Sequence, residues 1–216
     1  MSGIQQMLSG GTYKAPGPTT IGQAYGGGYY AGKIAVGGGG VATHYLIVAP
    51  KASGQSTGRT WGVYGVTTGI TSVINGPTNS ASLAALGANY QAAVFCEGLT
   101  IGGYSDWYLP AKNELEVLYY FLKPTTNVND TEVGSNANAV SPEPISTVYT
   151  SGSPAQTSAG IGFRTGETNA FASDAYWSST EASSNGAWRQ HFVNGSQGGI
   201  GKSGNYYVRA VRRIPV

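Results

Sequence analysis

Two stretches of the chain imitate a phosphate loop. Gly27–Lys33, GGYYAGK, has the G-x-x-x-x-G-K spacing. In that motif backbone N–H groups cradle phosphate and a hydroxyl after the lysine holds magnesium. Ile34 stands where the hydroxyl belongs. Gly201–Ser203, GKS, has the right finish, but Ser196 occupies the place of the first glycine. Neither stretch opens a helical pattern, and a phosphate site draws on the N–H groups of a helix start. Nucleotide chemistry is not expected.

The histidines are His44 and His191. His44 sits in an apolar strand pattern and reads as structural; His191 alternates with aromatic neighbours. No acid lies at metal-ligand spacing from either, so no histidine-based metal site is assigned. A Ser–His–Asp group meets in space rather than in sequence, and no nucleophile elbow of the G-x-S-x-G kind is expected. Asp106, Glu114, Glu116, Asp130, Glu132 and Asp174 show no catalytic pairing. Asp106 and the Asn127–Asp130 stretch carry oxygen donors but lack the ordered ligand ladder of a calcium loop. Cys96 is the single cysteine, which excludes an internal disulfide. Catalytic residues, cofactors and metals are therefore all expected to be absent.

Charged residues make up 10% of the chain and the net charge is +2. That balance gives no basic stripe for nucleic acid. No basic segment followed by an apolar one opens the sequence, and no run approaches membrane-spanning length. No membrane insertion is expected, and synthesis in the host cytoplasm without a signal peptide is. The chain has 34 glycines and 15 tyrosines. Glycine and tyrosine, with serine and asparagine, suit a loop-rich β protein. They are also the residues that binding loops favour, because tyrosine offers rigid contact area at low entropic cost.

Several elements must position these residues. Residues 1–20 lack periodicity, and Pro16 and Pro18 stiffen their end; they read as an arm, set apart from a domain over 21–216. Gln23–Val48 reads as a hairpin turning at Gly37–Gly40. Residues 51–80 are polar, with Trp61 as an anchor. A helix is expected near 80–98 and a second over 111–122, where Pro110 opens an apolar face of Leu115, Leu118, Tyr119 and Leu122. Residues 124–170 form a long polar loop. Short strands are expected near Ala175–Ser178, Ala187–Val193 and Tyr206–Arg212, joined by polar connections at Ala182–Gly186 and Ser196–Asn205. Alternation sets Trp188, Gln190 and Phe192 inward, and Arg189, His191 and Val193 outward.

GYSDWYLPAKNELEVL (Gly103–Leu118), YWSSTE (Tyr176–Glu181), AWRQHFVNG (Ala187–Gly195) and YVRAVR (Tyr207–Arg212) occur in that order. Together they resemble the C-terminal domain family of the Lcl collagen-like adhesin, and GGGYYAGKI, LIVAP and AAVFCEGL fit its first half. The resemblance runs from residue 21 to residue 214. It implies an α+β, C-type lectin-like fold of the formylglycine-generating-enzyme subtype, with two helices, small antiparallel sheets and long Gly/Ser/Asn-rich loops. Trp107 and Trp177 resemble core anchors of the family. Two departures stand out: Ala111 replaces the hydroxyl residue that would cap the second helix, and the paired catalytic cysteines of the formylglycine-generating enzymes have no counterpart.

The opening MSGIQQML resembles starts of phage tail proteins. With the adhesin likeness it implies a phage tail-fibre or tail-tip protein, located in the virion, that binds a bacterial surface receptor as a homotrimer. The arm 1–20 would then join other virion tail proteins. A secreted bacterial adhesin or lectin-like module is the alternative, followed by a purely structural virion protein. The expected receptor face lies on the loops and outward strand positions of the last segment: Ser183, Ser184, Asn185, Arg189, His191, Gln197, Lys202, Asn205 and Tyr206.

Overall fold

A computed structural model describes residues 16–140, 147–160 and 162–216. The arm is thus described only from Pro16 onward, and most of it lies outside the described residues. Within them no helix is long and apolar enough to cross a membrane.

The first sheet joins the two ends of the domain. Strands β1 (Ala24–Tyr25), β2 (Gly28–Ile34), β3 (His44–Val48) and β10 (Val211–Pro215) lie in that order, and β5 (Ala139–Val140) pairs with β2. The apolar run Leu46–Val48 therefore takes β2 on one edge and the chain's last strand on the other. A register shift between Tyr30 and Gly32 bends β2. Gly32 has φ +127°, and a Cβ there would meet the Phe121 ring at 2.8 Å. Only glycine lets the helix that carries Phe121 approach the strand so closely.

That helix is α4 (Lys112–Leu122), and the expected apolar face is buried. Its start answers the missing cap. Glu114 accepts the Ala111 N–H at 2.8 Å, the Thr180 hydroxyl accepts the Lys112 N–H at 3.0 Å, and Val73 O accepts the Asn113 N–H at 2.8 Å. A distant threonine supplies the hydroxyl that position 111 lacks. The single helix expected near 80–98 is two, α2 (Gly76–Ala85) and α3 (Gln91–Glu97). Gly87, with φ +106°, turns the chain between them.

The second sheet runs β4 (Gln55–Arg59), β9 (Tyr206–Arg209), β6 (Ala175–Glu181), β7 (Gly186–His191), β8 (Gln197–Gly201). One-turn helix α1 (Lys51–Gly54) leads into β4. The β6–β9 pair is parallel and the others are antiparallel. Strand β8 corrects the expectation of a loop over Ser196–Asn205: its glycine content hides a strand that pairs along its whole length with β7.

Two apolar clusters fill the interior. One gathers α4, β2 and β3 with Tyr149, Phe163, Phe171, Tyr176 and Phe192. The other gathers Trp61, Trp107 and Trp177 with α2 and α3, and includes Cys96. The described parts of the expected loop 124–170, which include strand β5, are staked by the buried Lys123 ammonium. It donates to Asn127 O at 2.5 Å, Asn129 Oδ1 at 2.7 Å and Pro154 O at 3.2 Å.

Candidate functional site

The β6–β7 turn, Ala182–Gly186, forms because Ser183 closes on itself. Its hydroxyl accepts the N–H groups of Asn185 at 3.2 Å and Gly186 at 3.0 Å, a serine-centred turn. Gly186 O in return accepts the N–H groups of Ala182 and Ser183. Beside the turn lies the 60–75 loop, brought from far away in sequence. Gly65 N donates to Ser184 O at 3.1 Å, and the Glu181 carboxylate accepts the N–H groups of Thr68 and Gly69, both at 2.8 Å.

Under that junction sits Lys202. It is fully buried, pairs with Glu181 at 2.5 Å, donates to Val66 O at 2.6 Å, and lies 4.9 Å from the centre of the Trp61 ring. Burial alone would raise the Glu181 carboxyl. Hydrogen bonds from Lys202, Thr68 and Gly69 overcome it and hold the group below its ordinary value. Lys202 is therefore a correction to the expected outward set: it is an internal tie between β6, the 60–75 loop and the end of β8.

Above the tie opens a cleft of about 260 Å³ lined by Tyr64, Ala182, Ser183, Asn185, Gly186, Gly199, Ile200 and Gly201. Tyr64 is 59% exposed, and Val63 and Val66 flank it on the surface. Ser183 and Asn185 thus meet in one cleft as part of a surface. Asn185 also accepts the Lys202 N–H through its carbonyl at 3.0 Å. Asn205 is exposed, whereas Tyr206 is half-buried with its ring edge-on to Trp177 at 5.0 Å.

The rest of the expected set lies toward the far end of the β7–β8 hairpin, from about 10 Å (Arg189) to about 17 Å (His191) along the strand from Gly186 at 3.4 Å per residue. There Gln197 donates to Gln190 Oε1 at 2.5 Å, and Gln190 donates to Gly195 O at 2.7 Å. Burial, and then the Arg189 charge, push the His191 ring below its ordinary value, against the pull of Asp174. Arg189 is half-buried opposite Trp177, and its buried Nη1 has no hydrogen-bond partner among the described residues. The alternation expected for β7 is therefore wrong at one position. Gln190 and Phe192 are buried, but Trp188 is only half-buried, with the Lys112 ammonium 4.5 Å from its ring centre. The nine residues do not form one continuous patch.

Sequence reasoning missed Tyr64 and its loop. The signal available was the segment GVYGVTTGI, Gly62–Ile70, a glycine-flanked aromatic of the kind binding loops use. It also passed over Gly54–Gly58, GQSTG, which has the G-x-S-x-G spacing. A nucleophile elbow runs from strand into helix; this segment runs from α1 into β4. Ser56 Oγ accepts Arg59 Nε at 2.9 Å and donates to Thr57 O. Asp106 holds Arg212 through two bonds of 2.8 Å.

The architecture is that of a mixed helix-and-sheet domain, with its last strands and a distant loop forming an exposed, mostly uncharged face. The Lcl C-terminal domain model matches residues 53–212, and the chain belongs to that family. No curated protein matches it. Among solved structures, a fimbrial protein from Bacteroides ovatus ATCC 8483 is similar at 17% identity and a TM-score of 0.42, over 77% of this chain and 35% of that one.

Proposed function

We propose that this chain is an adhesin-like, non-catalytic binding protein that grips a bacterial surface molecule with the face made by the 60–75 loop, the Ala182–Gly186 turn and β8. The observation that carries this reading is membership of the Lcl C-terminal domain family across 53–212. The face suits it physically, being a rigid sheet bearing exposed tyrosine, serine and asparagine. We assign the fold to the C-type lectin-like class on the same family grounds.

The finer reading is a phage tail-fibre or tail-tip protein in the virion. Residues 1–20 attach it to other tail proteins, and three copies act together. Several weak sites on one particle would then hold a cell by avidity. The support is the MSGIQQML opening together with the family. The test has two arms. Purified chain is expected to bind host bacteria and to compete with particle adsorption, and antibody against it is expected to mark the tail tip in electron micrographs. Absence of binding to every bacterium tried would overturn the adhesive reading. Label on the bacterial envelope, with none on any particle, would overturn the phage reading in favour of a bacterial adhesin.

A further inference from the structure

Among the described residues, strand β8 is an edge of the second sheet, with β7 on one side only. Its pairing shows which backbone groups are free. His191 N donates to Ser196 O at 2.9 Å, and Lys202 N donates to Asn185 O at 3.0 Å. In an antiparallel ladder these bonds alternate, so Gly198 and Ile200 also face β7. The N–H groups of Gln197, Gly199 and Gly201 point away from it, about 6.8 Å apart. Among the described residues none of these three N–H groups has a partner, nor do the carbonyls of Gln197 and Gly199. Natural edges are usually blunted by charge, proline or a covering segment. This one carries glycine at 198, 199 and 201. A Cβ at 198 or 201 would meet nothing among the described residues within 4 Å, whereas one at 199 would press on the Ala182 methyl at 3.0 Å.

Two further features lie along the same edge. At one end is the cleft beside Tyr64, Ala182 and Asn185, of about 260 Å³. Toward the other is Arg189, the β7 partner of Gly198, half-buried and with its buried Nη1 unpartnered among the described residues. Among the described residues the salt bridges are Lys202–Glu181, Arg212–Asp106 and Arg213–Glu114, so the Arg189 guanidinium is not neutralised by any carboxylate.

We propose that the ligand of this face is a protein, held as an extended segment that adds to the sheet along β8, places one side chain in the Tyr64 cleft and sets an acidic residue toward Arg189. Strand addition draws affinity from main-chain hydrogen bonds and specificity from pockets for alternate side chains. The edge offers both. A glycan has no line of alternating donors and acceptors at the strand repeat. A second copy of this chain would bring glycines to the cleft and a second guanidinium to Arg189. The inference rests on the adhesive reading above and narrows its ligand to protein.

The test pans a display library of random twelve-residue peptides against the full chain, with a panel of neutral and sulfated oligosaccharides in parallel. Enriched peptides are expected to carry β-forming residues and an acid, and to slow amide hydrogen exchange at Gln197, Gly199 and Gly201. Gly199→Pro removes one edge N–H without touching the β7 ladder, and should weaken the selected peptide about tenfold, the scale of one lost hydrogen bond. Gly199→Ala keeps the N–H and adds only a methyl against Ala182 in the cleft, so binding should fall less than with Gly199→Pro. Arg189→Gln should remove the preference for an acid. If Gly199→Pro does not fold, the exchange pattern of the unaltered chain decides. Peptides that bind without protecting those three amides overturn the proposal. So does protection that appears with protein concentration alone, which would mean self-pairing. Binding of oligosaccharides but no peptides overturns it while leaving the adhesive reading intact; failure to bind cells at all removes that reading instead.

Discussion

Replacing Lys202 by methionine separates an internal tie from a surface contact. Methionine keeps the length and apolar stem of lysine, so the packing beneath Trp61 changes little. What is lost is the ammonium that pairs with Glu181 at 2.5 Å and bonds Val66 O at 2.6 Å, with both side chains of the pair at most 1% exposed. Breaking one partner out of a buried pair costs about 3–5 kcal/mol, because the remaining charge stays desolvated. For a chain of this size each kcal/mol moves the melting temperature by about 2–4 °C. Lys202→Met should therefore lower it by about 6–20 °C on those two scales. The double variant Lys202→Met, Glu181→Gln should recover about half of that loss. A neutral amide is cheaper to bury, and its oxygen still accepts an N–H from Thr68 or Gly69. The assays are thermal melts followed by circular dichroism, and cell binding at a temperature where both variants are folded. A melting temperature within about 2 °C of the unaltered chain, a shift expected of surface substitutions, combined with lost binding, would refute the argument and return Lys202 to the receptor face.

Two other outcomes follow from the helix that connects the sheets. Glu116 is buried on α4, where Tyr149 and Asn136 donate to its carboxylate, and burial pushes its pKa from 4.5 up to about 7 despite those bonds. Its folded form holds a proton that the unfolded form has released, so its contribution is full below pH 4.5 and disappears as pH rises to about 7. That amounts to about 3 kcal/mol at 1.36 kcal/mol per unit; Glu116→Gln should flatten this slope in urea titrations run from pH 5 to 7. Thr180→Val removes the hydroxyl that accepts the Lys112 N–H and donates to Ser72 O at 2.9 Å. It should cost about 1–2 kcal/mol in denaturant melts, and Ala111→Ser should restore about half of that by supplying a local cap.

The elements legible in the sequence were those with a strong period or a strong stop. The face of α4 was readable because Leu115, Leu118, Tyr119 and Leu122 recur at helical spacing, and the β2–β3 hairpin because apolar runs flank Gly37–Gly40. The break at Gly87 and strand β8 were not, for one shared reason: glycine erases the pattern that marks an element. In β8 only Ile200 is apolar, so no alternation exists to be read. The same blindness applied to the face itself. Ser183 and Asn185 were readable as turn residues, but their neighbour Tyr64 is joined to them by Gly65 N–Ser184 O and by the Glu181 carboxylate. Backbone bonds between distant segments leave no trace in residue type.

Lys202 illustrates a different limit, and it bears on what the surface is for. A sequence with so few charges suggests that each one is outside. Yet Glu114, Glu116, Glu181, Lys123, Lys202, Arg209 and Arg212 are all buried. Arg209 donates to Ala49 O at 2.7 Å, Gln55 Oε1 at 3.0 Å and Asn169 O at 3.3 Å, without a carboxylate among those partners. Lys123 is likewise held by carbonyl oxygens. Loops rich in small residues bring many backbone carbonyls inward, and a buried cation can satisfy several of them at once. The charges thus fix the loops from within, where side-chain periodicity is too weak to do so. Their withdrawal leaves the face around Tyr64 and β8 with little charge of its own. On the proposed reading, recognition there would draw on backbone groups, hydroxyls, amides and one aromatic ring, with Arg189 as a cation. Such a face discriminates by shape and hydrogen-bond register rather than by long-range attraction, so binding there should depend on salt only as far as a single guanidinium requires.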